Sequence, residues 1–267
     1  AEKAGFEWNN YRYYNRANRG FDCDGMLEDL DKAQNESIVI LHSCAHNPTG
    51  QDPTMDQWKQ ILEVCKRKNH LAAFDSAYQG FASGSLEKDA ASIRLFADHT
   101  DRIVLFQSFA KNFGLYGERT GNLNIVCADE NEAKIINSRL KAVARPMYSN
   151  PPIHGARIVD IVLGDKDLTA SWHADLITMS SRMTLMRAGL VKAVKDAGST
   201  LDWGHCTDQI GMFAYTGLST EQVMQLRAED GIYMTADGRI SIAGLNTNNL
   251  DYIGKAFHRV TKDKGLS

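Results

Sequence analysis

The sequence predicts an α/β fold with a mostly parallel sheet, followed by a smaller α+β block at the C-terminal end. Three observations carry this. Short β-branched runs alternate with helix-period segments through the first half. One long helical pattern then separates that half from a block of mixed short elements. Polar, chemistry-bearing residues gather just past the ends of the predicted strands.

In chain order, residues 37–41 (SIVIL) read as a buried strand. Residues 54–68 read as a helix with Trp58, Ile61, Leu62 and Cys65 on one face. A second strand covers 71–74 and ends at Asp75, a short helix covers 90–97, and a third strand covers 102–107 and runs into Ser108. A fourth strand covers 122–127, and Asp129 is placed to cap a helix over 130–143. Residues 167–196 form the long helical pattern, with Met179, Met183, Met186, Leu190 and Val194 repeating at three- and four-residue steps. A partner-binding face is one reading of that stripe; core packing is the plainer one. Gly198 stops the helix. A strand (211–215), a helix (221–229), a short strand near 240–242 and a helix over 250–262 complete the chain. The expected division is a large domain over 1–178 and a small domain over 179–267.

Composition narrows the classes of function. The 267 residues carry a net charge of -3 with no basic run, so no attraction to nucleic acid is expected. No apolar run reaches the roughly 20 residues that span a bilayer, so no membrane segment is expected. The five cysteines are dispersed and form no CxxC pair, which suits free thiols in a reducing compartment.

Ligands of open α/β sheets bind beyond the carboxyl ends of strands. Past the first strand lies His46-Asn47-Pro48-Thr49-Gly50, and past the second Asp75-Ser76-Ala77-Tyr78-Gln79-Gly80. Past the third lie Ser108 and Lys111, then Arg119. An amide, a carboxylate with a phenol, and a hydroxyl with an amine and a guanidinium are groups a packed core does not use. A phosphorylated, nitrogen-containing ring can use them all. Lys111 can form an imine with an aldehyde once its amine is deprotonated. Asp75 can hold a proton on a pyridine nitrogen, Tyr78 and Asn47 can bond a ring oxygen, and Ser108 and Arg119 can bind a phosphate. His42, Cys44 and His46 alternate along the first strand, a pattern also read in metal sites. Without a fourth ligand, metal is disfavoured. The glycines at 114, 117 and 121 do not make a dinucleotide motif.

HNPTG, FDSAYQGFASG, QSFAKNFGLYGERTG, RPMYSNPP and DGRISIAG, in this order and spacing, resemble the signature segments of class I (fold type I) pyridoxal-phosphate-dependent aspartate aminotransferases. The resemblance implies that pyridoxal 5'-phosphate is the cofactor, with Lys111 as its lysine and proton carrier. It implies Asp75 as partner of the ring nitrogen, His42 behind Asp75, and Tyr78 and Asn47 at the ring oxygen. Ser108 and Arg119 become phosphate ligands, and Tyr148 and Ser149 a phosphate contact made across a subunit boundary. Arg239 becomes the clamp on the substrate α-carboxylate, and Phe213 part of the pocket wall. Arg145 becomes the arginine that reads the distal carboxylate from the other subunit. The implied reaction is ping-pong exchange of the amino group between L-aspartate and 2-oxoglutarate, giving oxaloacetate and L-glutamate. The implied setting is a homodimer of the cytoplasm or mitochondrial matrix. An aromatic amino acid aminotransferase of the same family and a non-catalytic fragment of such an enzyme remain alternatives. A lysine-imine aldolase is disfavoured, since Asp75, Tyr78 and Arg119 have no shared role there.

The resemblance begins within the family's large domain. The upstream phosphate loop, a ring-stacking tryptophan, the partner subunit's tyrosine and the N-terminal arm have no counterparts here. Trp8, Trp58, Trp172 and Trp203 all fall in other segments. The expectation is weakened cofactor binding by residues 1–267 alone, with an exposed sheet edge and exposed apolar helix faces.

Overall fold

The computed structural model describes residues 4–266. A small hairpin, β1 (Tyr14–Asn15) and β2 (Gly20–Phe21), leads into α1 (Cys23–Lys32). Strand β3 (Ile38–His42) follows, then α2 (Met55–Lys68) and β4 (Leu71–Ser76). Two short helices, α3 (Leu86–Asp89) and α4 (Ala91–His99), precede β5 (Ile103–Ser108) and β6 (Gly121–Val126). Helices α5 (Glu130–Tyr148), α6 (His154–Gly164) and α7 (Lys166–Asp196) come next. The chain ends in α8 (His205–Asp208), β7 (Phe213–Tyr215), α9 (Thr220–Asp230), β8 (Arg239–Ser241) and α10 (Leu250–Thr261).

Local chemistry sets these boundaries. Thr54 caps α2 through a reciprocal box with Gln57, and Asn69 ends it in the left-handed region at φ 53°. Lys66, Arg67 and Lys68 sit in its last turn, where cations favour the helix dipole. Asp129 accepts from the Glu132 amide at 2.8 Å and starts α5, as its position predicts. Ser219 and Gln222 repeat the capping box at α9, which Gly231 closes.

The main sheet has the order β3-β4-β5-β6. The first three strands are parallel, with His42 opposite Asp75 and Asp75 opposite Phe106. β6 returns antiparallel, Ser108 facing Gly121. The link from β5 to β6 carries no helix, and a parallel return needs a crossover. One face packs Val39, Leu41, Ala72, Phe74 and Ile103 onto Met26, Trp58, Ile61 and Phe96 of α1, α2 and α4. The other presents Ile38, Ile40, Phe106 and Leu123 to solvent, at 41–59% exposure. Parallel sheets are ordinarily covered on both faces, so these four side chains are apolar area that the described residues leave uncovered.

The second core gathers Met183, Leu190 and Val194 of α7 with Trp203, Ala214, Leu226, Ile240 and Phe257. Met179 and Met186 pack against it, so the stripe on α7 is core. Gly254 lets α10 lie against α7; a Cβ there would sit 2.6 Å from the Ala193 backbone. No helix among the described residues is long and apolar enough to cross a membrane.

Several expectations need correction. The hairpin β1–β2, α1 and α6 were not anticipated. α6 carries the run Ile158-Val159-Asp160-Ile161-Val162-Leu163, whose β-branched composition hides a helical period. α5 extends to Tyr148 and takes Pro146 inside its last turns, so Arg145 lies within the helix. β7 begins at Phe213, since Gly211 takes φ 87° and breaks the strand. His42, Cys44 and His46 do not alternate along one strand: β3 ends at His42.

Candidate active site

The carboxyl ends of β3, β4 and β5 converge, and three loops leave them. The β3 loop turns back under Asp52, whose carboxylate accepts from the Ala45 amide at 2.6 Å and the His46 amide at 2.9 Å. Burial pushes the Asp52 carboxyl up to about 6 against these bonds. Tyr13 stacks on the His46 ring at 3.6 Å, and Thr49 bonds its Nδ1 at 2.8 Å. Burial lowers His46 to about 3. The loop docks on the C-terminal half where the Ile210 amide donates to the Gly50 carbonyl at 2.9 Å. Gly50 holds φ 65° there, and a Cβ would meet Gln209 at 2.9 Å. This clamp presents Asn47, and Arg239 Nη1 donates to Asn47 Oδ1 at 2.8 Å.

The β4 loop carries Asp75 and Tyr78. Asp75 is exposed at its strand end, beside His42 in register. His42 Nδ1 accepts from the Asn47 amide at 3.2 Å, which leaves the ring proton on Nε2. Burial lowers the His42 pKa more than Asp75 raises it, so the ring is neutral near pH 7. Tyr78 is 6% exposed. Burial raises its phenol, Asp75 and Tyr116 add to the rise, and Arg239 opposes it. Asp89 gathers the Gly80, Ala82 and Ser83 amides at 2.8, 3.1 and 3.3 Å and so fixes the turn after Tyr78.

The β5 loop carries Lys111. Its Nζ lies 5.2 Å from the Tyr78 ring centroid. Ser108 Oγ accepts from the Ala110 amide at 3.2 Å. Arg119 is exposed, at φ 54°, with Nη1 on the Tyr116 carbonyl at 3.1 Å. From the C-terminal half, β7 and β8 pair so that the Arg239 guanidinium rests 4.7 Å over the Phe213 ring. The segment leading into β7 is held by Arg187 of α7, a buried guanidinium bonded to the Cys206, Gly211 and Phe213 carbonyls. With no carboxylate beside it, burial lowers its pKa to about 10.

The structure thus brings together Asn47, Tyr78, Asp75, His42, Lys111, Arg239 and Phe213, with Ser108 at the end of β5. It does not bring Arg145, Tyr148 and Ser149 to them. Those three are exposed on the last turns of α5 and just beyond, and their side chains make no hydrogen bond or ion pair among the described residues. Sequence reasoning missed Asp52, Asp89 and Arg187. Their partners are backbone amides six to nine residues away for Asp52 and Asp89, and backbone carbonyls 19 to 26 residues away for Arg187, and backbone partners leave no mark in the side-chain pattern. It also assigned no role to Trp172, which stacks on Phe113 at 4.4 Å next to the lysine turn.

Comparison with known proteins agrees with this geometry. The family model for aminotransferase class I and II matches residues 1–257. A mitochondrial aspartate aminotransferase of Dictyostelium discoideum is 53% identical over 260 residues, 97% of this chain. The chain spans 61% of that relative's length. The solved mitochondrial aspartate aminotransferase of Trypanosoma brucei superposes with a TM-score of 0.95 at 50% identity, covering 97% of this chain and 68% of that one. An aromatic-amino-acid aminotransferase of Burkholderia pseudomallei, covalently bound to pyridoxal phosphate, superposes equally well at 46% identity, covering 97% and 65%. A matching family profile over nearly every residue, with the lysine, tyrosine, asparagine and arginine gathered at the strand ends, makes this chain a member of the class I and II aminotransferases.

Proposed function

We propose that this chain carries the lysine-bearing, α-carboxylate-binding part of a pyridoxal-phosphate-dependent aspartate aminotransferase. Its reaction exchanges the amino group between L-aspartate and 2-oxoglutarate, giving oxaloacetate and L-glutamate. The observation that carries the proposal is the convergence of Lys111 on Tyr78 at the ends of the adjacent strands β5 and β4, and of Arg239 of β8 on Asn47 beyond β3. The similar proteins that are aspartate aminotransferases support the same reading.

The donor set fits a phosphorylated pyridine. An exposed carboxylate stands at a strand end, a buried phenol and an amide lie beside it, an amine faces the phenol ring, and a hydroxyl and a guanidinium follow. Bound there, pyridoxal 5'-phosphate supplies an aldehyde for an amine and a ring that takes up the electron pair left when the substrate loses its α-proton. Asp75 keeps a proton on the ring nitrogen, and neutral His42 stands behind it in register. Arg239 donates to Asn47 Oδ1, so Asn47 Nδ2 remains as a donor that could share a ring oxygen with the Tyr78 hydroxyl. Ser108 and Arg119 meet the phosphate. Arg239 keeps further N–H groups for a substrate α-carboxylate, and Phe213 fixes the plane in which they point. With cofactor and substrate bound, Lys111 Nζ would be the amine that holds the cofactor and, once free, the base that moves the substrate's Cα proton. Arg145, Tyr148 and Ser149 would serve a second subunit's site in a homodimer.

The test is to load the protein with cofactor, reduce with borohydride and map the phosphopyridoxyl lysine. The adduct is expected on Lys111; an adduct on another lysine overturns the assignment. The aromatic aminotransferase is a second reading, favoured by the likeness to the Burkholderia protein. Relative kcat/KM on aspartate and phenylalanine separates the two.

A further inference from the structure

Lys111 sits in a connection without helix or strand, residues 109–120, yet its surroundings are tightly fastened. The fastener is the next residue. Asn112 is 3% exposed, and its Nδ2 donates to the Gln79 carbonyl at 3.1 Å. Its own carbonyl accepts from Trp172 Nε1 at 2.7 Å. Phe113 stacks on the Trp172 ring at 4.4 Å and 23°, and Phe109 meets Phe113 edge-on at 5.5 Å. Gln79 in turn accepts from Gln107 Nε2 at 2.7 Å. The lysine turn is therefore tied on one side to the loop bearing Tyr78, and on the other to the first turns of α7.

A lysine has four side-chain torsions, so the place its amine reaches depends on how firmly its backbone is held. Both hydrogen bonds are made by Asn112, directly after Lys111, one by its side chain and one by its carbonyl, and the Phe113–Trp172 stack adds a third hold beside them. We propose that Trp172 and Asn112 are positioning residues for Lys111: α7 holds the lysine turn through Trp172, and Asn112 locks that turn to the Tyr78 loop. The purpose given to Lys111 rests on the proposed function, but the fastening itself is a statement about the protein alone.

The test compares Trp172→Phe, which keeps a ring to stack and loses the donor, with Trp172→Leu, which loses both. Two measurements are made on the whole chain. The first is hydrogen exchange of amides 109–114, with β4 and the C-terminal half of α7 as internal references. The second is the share of phosphopyridoxyl label on Lys111, relative to all other lysines, after borohydride reduction. Trp172→Phe should speed exchange in 109–114 by about 2- to 10-fold, as expected for one lost hydrogen bond, and Trp172→Leu by more. The reference amides should be unchanged, and the Lys111 share of label should fall in the same order. Exchange and labelling share equal to wild type in both variants overturn the proposal. So does faster exchange everywhere with an unchanged Lys111 share, since that describes a residue that only stabilises the fold. Wild-type protein without label on Lys111 overturns the proposed function instead, and the exchange of 109–114 then decides the fastening by itself.

Discussion

The residues gathered at the ends of β3, β4 and β5 and those at the end of α5 come from equally distinctive motifs, yet the fold treats them differently. Asn47, Tyr78, Lys111 and Arg239 are each fixed by a contact with a remote segment: Asn47 with Arg239, Lys111 with Tyr78, Arg239 with Phe213. Arg145, Tyr148 and Ser149 project from a helix with no buried residue, among exposed Val143 and Met147. The difference teaches that this chain fixes Asn47, Tyr78, Lys111 and Arg239 by its own contacts and leaves Arg145, Tyr148 and Ser149 presented outward. Under the proposed function, the outward group is the one that would read a distal carboxylate at a second subunit's site.

The sharpest break of that comparison is Lys111→Ala. Under the proposed function it would remove both the covalent attachment and the proton carrier, so turnover of the loaded enzyme should fall by at least about 10³-fold. Steady-state rates with aspartate check this, and residual activity near wild type would remove Lys111 from the chemistry. Asp75→Asn comes next. The amide cannot hold the ring nitrogen's proton, so turnover should drop by about 10²-fold or more while cofactor still binds, and Asp75→Glu should lose less. Absorbance titration with the cofactor separates binding from turnover.

The two arginines test the comparison directly. Arg239→Leu should cost about 2–5 kcal/mol in kcat/KM on every amino acid, and Arg145→Leu a similar amount on aspartate alone. Equal losses on aspartate and alanine in Arg145→Leu would show that it does not read the side chain.

The smallest effect concerns the clamp behind Asn47. Asp52 is raised from 3.8 to about 6, so its contribution to stability is full below the unfolded value and is lost as pH rises toward about 6. His46 is lowered from 6.5 to about 3, so its contribution is full above the unfolded value and is lost as pH falls toward about 3. Between about pH 4 and 6 the two slopes oppose each other. Asp52→Asn leaves the histidine slope alone, so unfolding free energy should fall on acidification by on the order of 1 kcal/mol per pH unit more steeply than in wild type. Urea titrations across that window measure it; parallel profiles would reject the pairing.

Much of this was legible in the sequence, because the signals are local. The strands at 38–42, 71–76 and 103–108 announce themselves by β-branched and apolar runs, and the cap at Asp129 by a single side chain placed before a helical period. Strand ends deliver ligand groups in α/β folds, so Asp75, Tyr78, Ser108 and Lys111 follow once the strands are placed. The extent of α5 past Pro146 and the helix at 154–164 were not legible, since proline and β-branched residues argue locally against helix. What the sequence by itself determined was therefore the order of the main-sheet strands, the long helix and the C-terminal elements, and the candidate groups at the strand ends. Only the tertiary structure decided that Asn112 and Trp172 hold the lysine turn, that Arg187 holds the strand under Arg239, and that β6 runs antiparallel. Those contacts join residues 60 and 26 positions apart in the first two cases. A hydrogen bond between remote residues depends on how the whole chain packs, and no short stretch of sequence carries that information.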